Sequence, residues 1–147
     1  MIRRGLVDAT IEEFPGGTPT AEAAAREVGC GVDQIVKTIV LVGDRRFIVA
    51  LVPGDRHADE QKVAEATGDS QMRVATREEV PLATGFDAGG VAPFPNRGVA
   101  YVLLEQSLLQ HEVVWIGAGT PQHMASLAPS DLQRLANAIP ADLVAPR

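Results

Sequence analysis

Hydrophobic positions along this chain fall into two rhythms. From Gln34 to Val42 the chain is mostly apolar and β-branched, and after Gln34 only Lys37 and Thr38 are polar. An unbroken run of that length predicts a buried strand. Gly43-Asp44-Arg45 supplies a turn, Phe47 to Val52 is the matching hairpin strand, and Pro53-Gly54-Asp55 ends it. Val99 to Leu104, Glu112 to Ile116 and Met124 to Ala128 read as further strands, with a short one over Gln71 to Ala75. The helical rhythm appears elsewhere. Leu6, Ala9, Thr10 and Ile11 stand at helical spacing and predict a helix near residues 3–13, stopped by Phe14-Pro15-Gly16-Gly17. Thr20 is an N-cap for Ala21 to Val28, closed by Gly29. Asp59 to Thr67 is a second short helix, closed by Gly68. Thr76-Arg77-Glu78-Glu79 and Ser130-Asp131-Leu132-Gln133 are capping boxes, the second opening a helix with Leu132, Leu135, Ala136 and Ile139 on its apolar face. Thr84 to Gly98 is a loop rich in Gly and Pro. No repeat or linker divides the chain. The expected architecture is one mixed α/β domain over residues 1–147, a mostly antiparallel mixed sheet surrounded by helices.

Composition narrows the partners. The net charge of −6 argues against non-specific nucleic-acid affinity, which needs a surplus of Lys and Arg, and leaves room for a local basic patch. One cysteine, Cys30, excludes an internal disulfide and fits a reducing cytoplasm. No apolar stretch approaches the roughly 20 residues that span a bilayer, so no membrane partner is expected. The N-terminal residues lack the apolar core of a signal peptide.

Lys37 is the residue whose chemistry stands out. The chain has two lysines and eleven arginines, and one lysine sits inside the most apolar strand. Alternation puts Lys37 on one face with Ile35, Ile39 and Leu41. Either its amine reaches water along the strand end, or an anion meets it, because an unpartnered buried ammonium is costly. The loop Gly85 to Pro95 is the second feature. Its paired glycines let backbone amides approach a ligand and its prolines stiffen it; a tight connection built of ordinary turn residues is the plainer reading. Gly117-Ala118-Gly119-Thr120, directly after a strand, can form an anion-binding nest, though it carries neither the Gly-Lys-Ser/Thr of a phosphate loop nor a dinucleotide fingerprint. His57 and His111 lie beside turns and face solvent. His123 either lines a pocket or lies at the surface. No zinc pattern, no nucleophile elbow and no reactive context for Cys30 is present. Standard covalent and metal mechanisms therefore have no evident carrier.

These features occur together, and in order, in one family. Thr18-Pro19-Thr20-Ala21-Glu22-Ala23-Ala24, Gln34 to Thr38, Val52-Pro53-Gly54-Asp55, Thr84-Gly85-Phe86, Gly89 to Phe94, Trp115 to Thr120 and Pro129 to Leu132 resemble the YbaK family of aminoacyl-tRNA editing domains. These are free-standing deacylases related to the editing insertion of bacterial prolyl-tRNA synthetase. The resemblance covers about residues 18–140. It implies hydrolysis of the ester joining a wrong amino acid to the tRNA 3′ end, with water as nucleophile, assisted by the substrate's own terminal ribose hydroxyl. It places Lys37, Gly89 and Gly90 at the catalytic centre. Val91, Ala92, Pro93, Phe94, Thr20, Gly117, Gly119 and His123 become substrate-binding residues, and no cofactor or metal is required. The lysine's anion is then a terminal phosphate or a developing oxyanion. Family loops often read Gly-Gly-x-Ser-Pro-x-Gly; here Ala92 stands for the serine and Pro95 for the last glycine. Many members also carry Asp where this chain has Glu105.

The expected partner is the 3′ end of an aminoacyl-tRNA, with an aminoacyl-tRNA synthetase as an optional second partner; the pattern demands no particular oligomeric state. A small amino acid such as Ala, Cys, Ser or Thr on proline tRNA is the expected load, since a small pocket excludes larger cognate side chains by size. The competing reading is a non-catalytic module that binds a tRNA end, a nucleotide or a small metabolite on the same fold. Another ester or acyl substrate is a third.

Overall fold

The structure, a computed structural model, describes residues 9–13, 20–84, 99–117 and 123–146. Its strands are β1 (Ala9–Glu13), β2 (Val36–Val42), β3 (Phe47–Pro53), β4 (Arg73–Val74), β5 (Val99–Glu105), β6 (Val114–Gly117), β7 (His123–Leu127) and β8 (Ile139–Ala141). Its helices are α1 (Ala21–Val28), α2 (Glu60–Thr67), α3 (Glu79–Thr84) and α4 (Pro129–Ala136), with short 3-10 turns at Val32–Gln34 and Gln106–Gln110. Five strands form one sheet in the order β4-β2-β3-β5-β8, and three form another in the order β1-β7-β6.

The hairpin read from the sequence is the centre of this arrangement. β2 and β3 pair antiparallel from Val36↔Pro53 to Val42↔Phe47. β3 is covered on both faces, which is why its sequence reads as a continuous apolar run rather than an alternating one. Val36, Val40, Val49, Leu51 and Leu104 point inward against Val114, Ile116 and Leu127 of the small sheet and Leu132 of α4. On the opposite face Leu41, Ile48, Ala50, Val52 and Leu103 pack beneath Val63 of α2 and the tail residues Leu143 and Val144. Each fully buried Leu or Ile contributes about 1.5–3 kcal/mol of hydrophobic stabilisation. The mixed α/β class is as expected. Among the described residues four of the six strand pairings are antiparallel, whereas β3–β5 and β5–β8 run parallel.

The helix boundaries follow their capping residues. Thr20 Oγ1 accepts the Ala23 amide at 3.0 Å, and Gly29 closes α1 at φ 75°. Asp59 caps α2 by accepting the amides of Gln61 and Lys62, and Gly68 closes it at φ 79°. At α3 the reciprocal box forms: the Thr76 amide donates to Glu79 Oε1 at 2.9 Å and the Glu79 amide to Thr76 Oγ1 at 3.3 Å.

Four expectations are corrected. Ala9–Glu13 is not helical; it is an edge strand paired antiparallel with β7, from Ala9↔Leu127 to Glu13↔His123. Ser130 does not open α4, because Pro129 already occupies the first turn and Ala128 is the cap, with no side-chain bond. Ile139 does not extend the apolar face of α4. Asn137 turns left-handed at φ 52°, ends the helix, and Ile139 emerges half exposed in β8. Of the loop expected over Thr84 to Gly98, Thr84 is instead the last residue of α3, and the rest lies outside the described residues.

Candidate functional site around Lys37

Lys37 is the second residue of β2 and faces Val52 across the hairpin. Cross-strand partners share a face, so Lys37 lies on the side of Ile39, Leu41, Val52 and Ala50, the side packed under α2. Ile35 departs from the expected set. It ends the 3-10 turn and packs with Ala24 and Ala25 of α1 and with Met124.

Three segments converge at this end of the hairpin. The Gly54 amide donates to Ile35 O at 2.7 Å, tying the end of β3 to the start of β2. A Cβ on Gly54 would stand 2.7 Å from the Ala21 Cβ and 2.8 Å from Val32 O, so the first turn of α1 and the 3-10 turn lie directly against the glycine. Glu22 follows Ala21 on α1, and Asp55 follows Gly54. The half-buried Lys37 ammonium is thus set among charges: burial pushes its pKa down, and the negative fields of Glu22 and Asp55 oppose that shift.

The other anticipated residues divide. Thr20 is at the N-cap of α1, one helical turn from this junction. Trp115 bridges Ile35 in parallel, so Gly117 and Lys37 each stand two residues beyond the same bridge, on strands of different sheets. His123 stands at the start of β7, its Nε2 3.8 Å from Glu13 Oε2 on the edge strand, and its side chain is part exposed. Gly89, Gly90, Val91, Ala92, Pro93, Phe94 and Gly119 lie outside the described residues. His57 is exposed as expected, whereas His111 is part-buried with Nε2 3.6 Å from Asp33 Oδ2. Cys30 donates its thiol to Gly31 O at 3.3 Å, and burial, then the charge of Asp33, raises its pKa, which keeps it protonated and unreactive. Among the described residues no three His, Cys, Asp or Glu side chains are grouped as a metal site needs. No helix among them is long and apolar enough to cross a membrane.

Sequence reading passed over Glu22 and Asp55. Each falls inside a motif quoted for its resemblance, but only the contact of Ala21 with Gly54 shows that the two motifs meet. Glu105 has a structural part. Almost wholly buried, it accepts the Ser107 amide at 2.8 Å and the Ser107 hydroxyl on Oε2, and the Leu143 amide at 3.0 Å on Oε1. It joins β5, the second 3-10 turn and the C-terminal segment. A polar cleft of about 570 Å³ opens beside it. The cations of that cleft are engaged: Lys62 Nζ meets Asp142 at 3.0 Å and Val144 O at 2.8 Å, and Arg56 donates to Ala145 O at 2.6 Å.

Comparison with known proteins identifies the fold and the family. A solved structure described as that of a trans-editing enzyme for prolyl tRNA synthetase superposes with a TM-score of 0.87 at 37% identity, covering 94% of this chain and 87% of the other. A protein of Enterococcus faecalis named as a Cys-tRNA(Pro)/Cys-tRNA(Cys) deacylase, EbsC, is 28% identical over 119 residues, 80% of this chain and 73% of that protein. A proline–tRNA ligase of Nitratidesulfovibrio vulgaris is 33% identical over 109 residues, 74% of this chain and only 19% of the ligase. The profile of the aminoacyl-tRNA editing domain matches residues 16–135, and the chain belongs to that family.

Proposed function

We propose that this protein is a free-standing deacylase that hydrolyses the ester of mischarged aminoacyl-tRNA, acting on small amino acids carried by proline tRNA. The observation that carries the reading is a half-buried Lys37 at the junction of α1 with the β2–β3 hairpin, in a chain of the editing-domain family. The likeness to a trans-editing enzyme and to a Cys-tRNA deacylase supports the reaction class. Water attacks the ester carbonyl. The Lys37 ammonium offers positive charge either to the 3′-terminal phosphate or to the oxyanion that develops, and in a partly desolvated site such a charge counts for far more than in water. The glycine–proline loop over Gly89 to Phe94, together with Thr20, Gly117, Gly119 and His123, completes the binding site in this reading. No protein nucleophile is required. The compartment is the cytoplasm, where charged tRNA is made and used, and a synthetase is an optional partner.

The test is hydrolysis of Ala-, Cys-, Ser- and Thr-tRNA(Pro), and of the same amino acids on their own tRNAs, by purified protein. Lys37-dependent release of one small amino acid is expected. No release from any substrate, with the protein folded, overturns the reading in favour of a binding module.

A further inference from the structure

We propose that residues 142–146 are a strap that positions Lys37: they lie across residues 56–59 and hold the end of the β2–β3 hairpin on which the lysine stands. The strap is fastened along its backbone. The Asp59 amide donates to Leu143 O at 2.8 Å and the Ala145 amide to His57 O at 2.9 Å, with Ala58 and Val144 paired antiparallel between them. Two cationic side chains add to this ladder. Lys62 Nζ donates to Val144 O at 2.8 Å and Arg56 to Ala145 O at 2.6 Å. From β5, Glu105 Oε1 accepts the Leu143 amide at 3.0 Å. The carbonyls of Leu143, Val144 and Ala145 are thus all taken, two of them by charged donors, whose bonds are roughly twice as strong as neutral ones.

Two routes lead from the strap to Lys37. The first is packing. Val52 is the cross-strand partner of Lys37 and shares its face. Its fully buried side chain belongs to the same apolar cluster as Leu143 and Val144, so the strap packs on the face that carries Lys37. The second route is the chain itself. Residues 54–59 join β3 to α2 outside any helix or strand. The Arg56 amide closes their turn on Pro53 O at 3.1 Å, and the Gly54 amide returns to Ile35 O at 2.7 Å, two residues before Lys37. A clamp on residues 56–59 therefore fixes the segment that leads out of the hairpin end holding the lysine. The match to the editing-domain profile stops at residue 135, so the strap lies outside the matched part of the chain.

The catalytic consequence rests on the editing reading, but the positional one needs no substrate. In protein labelled with 13C at lysine Cε, Lys62 reports the strap and Lys37 the site; the chain has no other lysine. Ala145→Pro removes the amide that donates to His57 O and changes no charge. Both signals are expected to move, and kcat/KM for deacylation to fall about tenfold at a temperature where the variant is fully folded. Asp44→Asn is the control for general loosening. Asp44 accepts the Ser70 and Gln71 amides at the far end of the same hairpin, and its substitution leaves the Lys37 signal in place. A Lys37 signal unmoved in folded Ala145→Pro, or moved as far by Asp44→Asn, overturns the proposal whatever the activity assay gives. Should Ala145→Pro not fold, hydrogen exchange in the wild type decides. The Ala145 and Gly54 amides are protected to the same degree if strap and hairpin end open together, and protection that differs by about tenfold or more overturns the proposal.

Discussion

Gly54 and Ala21 occupy a contact that admits no side chain on the glycine: a Cβ there would stand 2.7 Å from that of Ala21. Gly54→Ala must push α1 away from the hairpin or strain both, at a cost of about 1–3 kcal/mol. Because Gly54 adjoins the hairpin end that holds Lys37, deacylation should fall by more than the stability loss explains, since a displacement of about 1 Å can cost 100-fold in rate. Gly29→Ala is the contrast. Its φ of 75° strains an L side chain, but nothing lies within 4 Å. It should cost about 1 kcal/mol and leave kcat intact. Urea unfolding and single-turnover deacylation of both variants separate the two effects.

Lys37→Met should abolish turnover and leave the fold intact or more stable. The direction follows from the lowered pKa. A lysine depressed by burial is protonated in both folded and unfolded chains near neutral pH, so folding bears the desolvation of its charge there. Between its folded pKa and the ordinary value of 10.5 the folded form loses its proton first, and the wild-type stability rises with pH. Methionine removes the charge with similar volume. Thermal unfolding at pH 7 and pH 10 should show the variant's advantage shrinking as pH rises. A large loss of stability at pH 7 would argue instead for Lys37 as a structural residue.

Arg73 and Glu79 form a bidentate pair at 2.7 and 2.8 Å, and the Thr76 amide adds a third bond. The Arg73 bonds and then the Thr76 amide bring the Glu79 pKa down from 4.5 to about 2. A depressed carboxylate stabilises the fold above its unfolded value, and that contribution fades as pH falls through the window from about 4.5 to about 2. Glu79→Gln should therefore be less stable than wild type at pH 6 and should converge with it toward pH 2. Denaturant midpoints across that range check it.

Glu105→Gln should cost about 2–3 kcal/mol. The carboxylate accepts from Ser107 on one oxygen and from the Leu143 amide on the other. An amide side chain has one acceptor oxygen and turns N–H groups toward one of those donors, leaving a buried donor unpaired. Glu105→Asp should lose the 3.0 Å bond to Leu143 through its shorter stem and loosen the C-terminal segment. Hydrogen exchange at Leu143 and urea unfolding read the two outcomes.

Local chemistry made much of this fold legible, and tertiary pairing set what was not. The Thr20 and Gly29 caps, the Gly68 cap and the β2–β3 hairpin each depend on neighbours within a few residues, and each lies where sequence patterning puts it. Ala9–Glu13 is a strand only because β7 lies beside it; five residues with no strict alternation carry no such signal alone. β8 is likewise created by its parallel pairing with β5. At the site, Lys37 was legible as a cation in the wrong company. The packing of α1 on that hairpin end was not, because Ala21 and Gly54 are 33 residues apart and meet only through the bare Cα of the glycine.

The half-burial of Lys37 also bears on what an ester bound beside it would meet. A free lysine amine is a strong nucleophile, and an aminoacyl ester is an acyl donor. An unprotonated Lys37 beside that ester would take the amino acid as a stable amide and end the enzyme's working life after one encounter. A protonated amine has no lone pair to attack with. In the proposed reaction, protonation of Lys37 leaves water as the acceptor of the acyl group and spares the protein from capture by its own substrate.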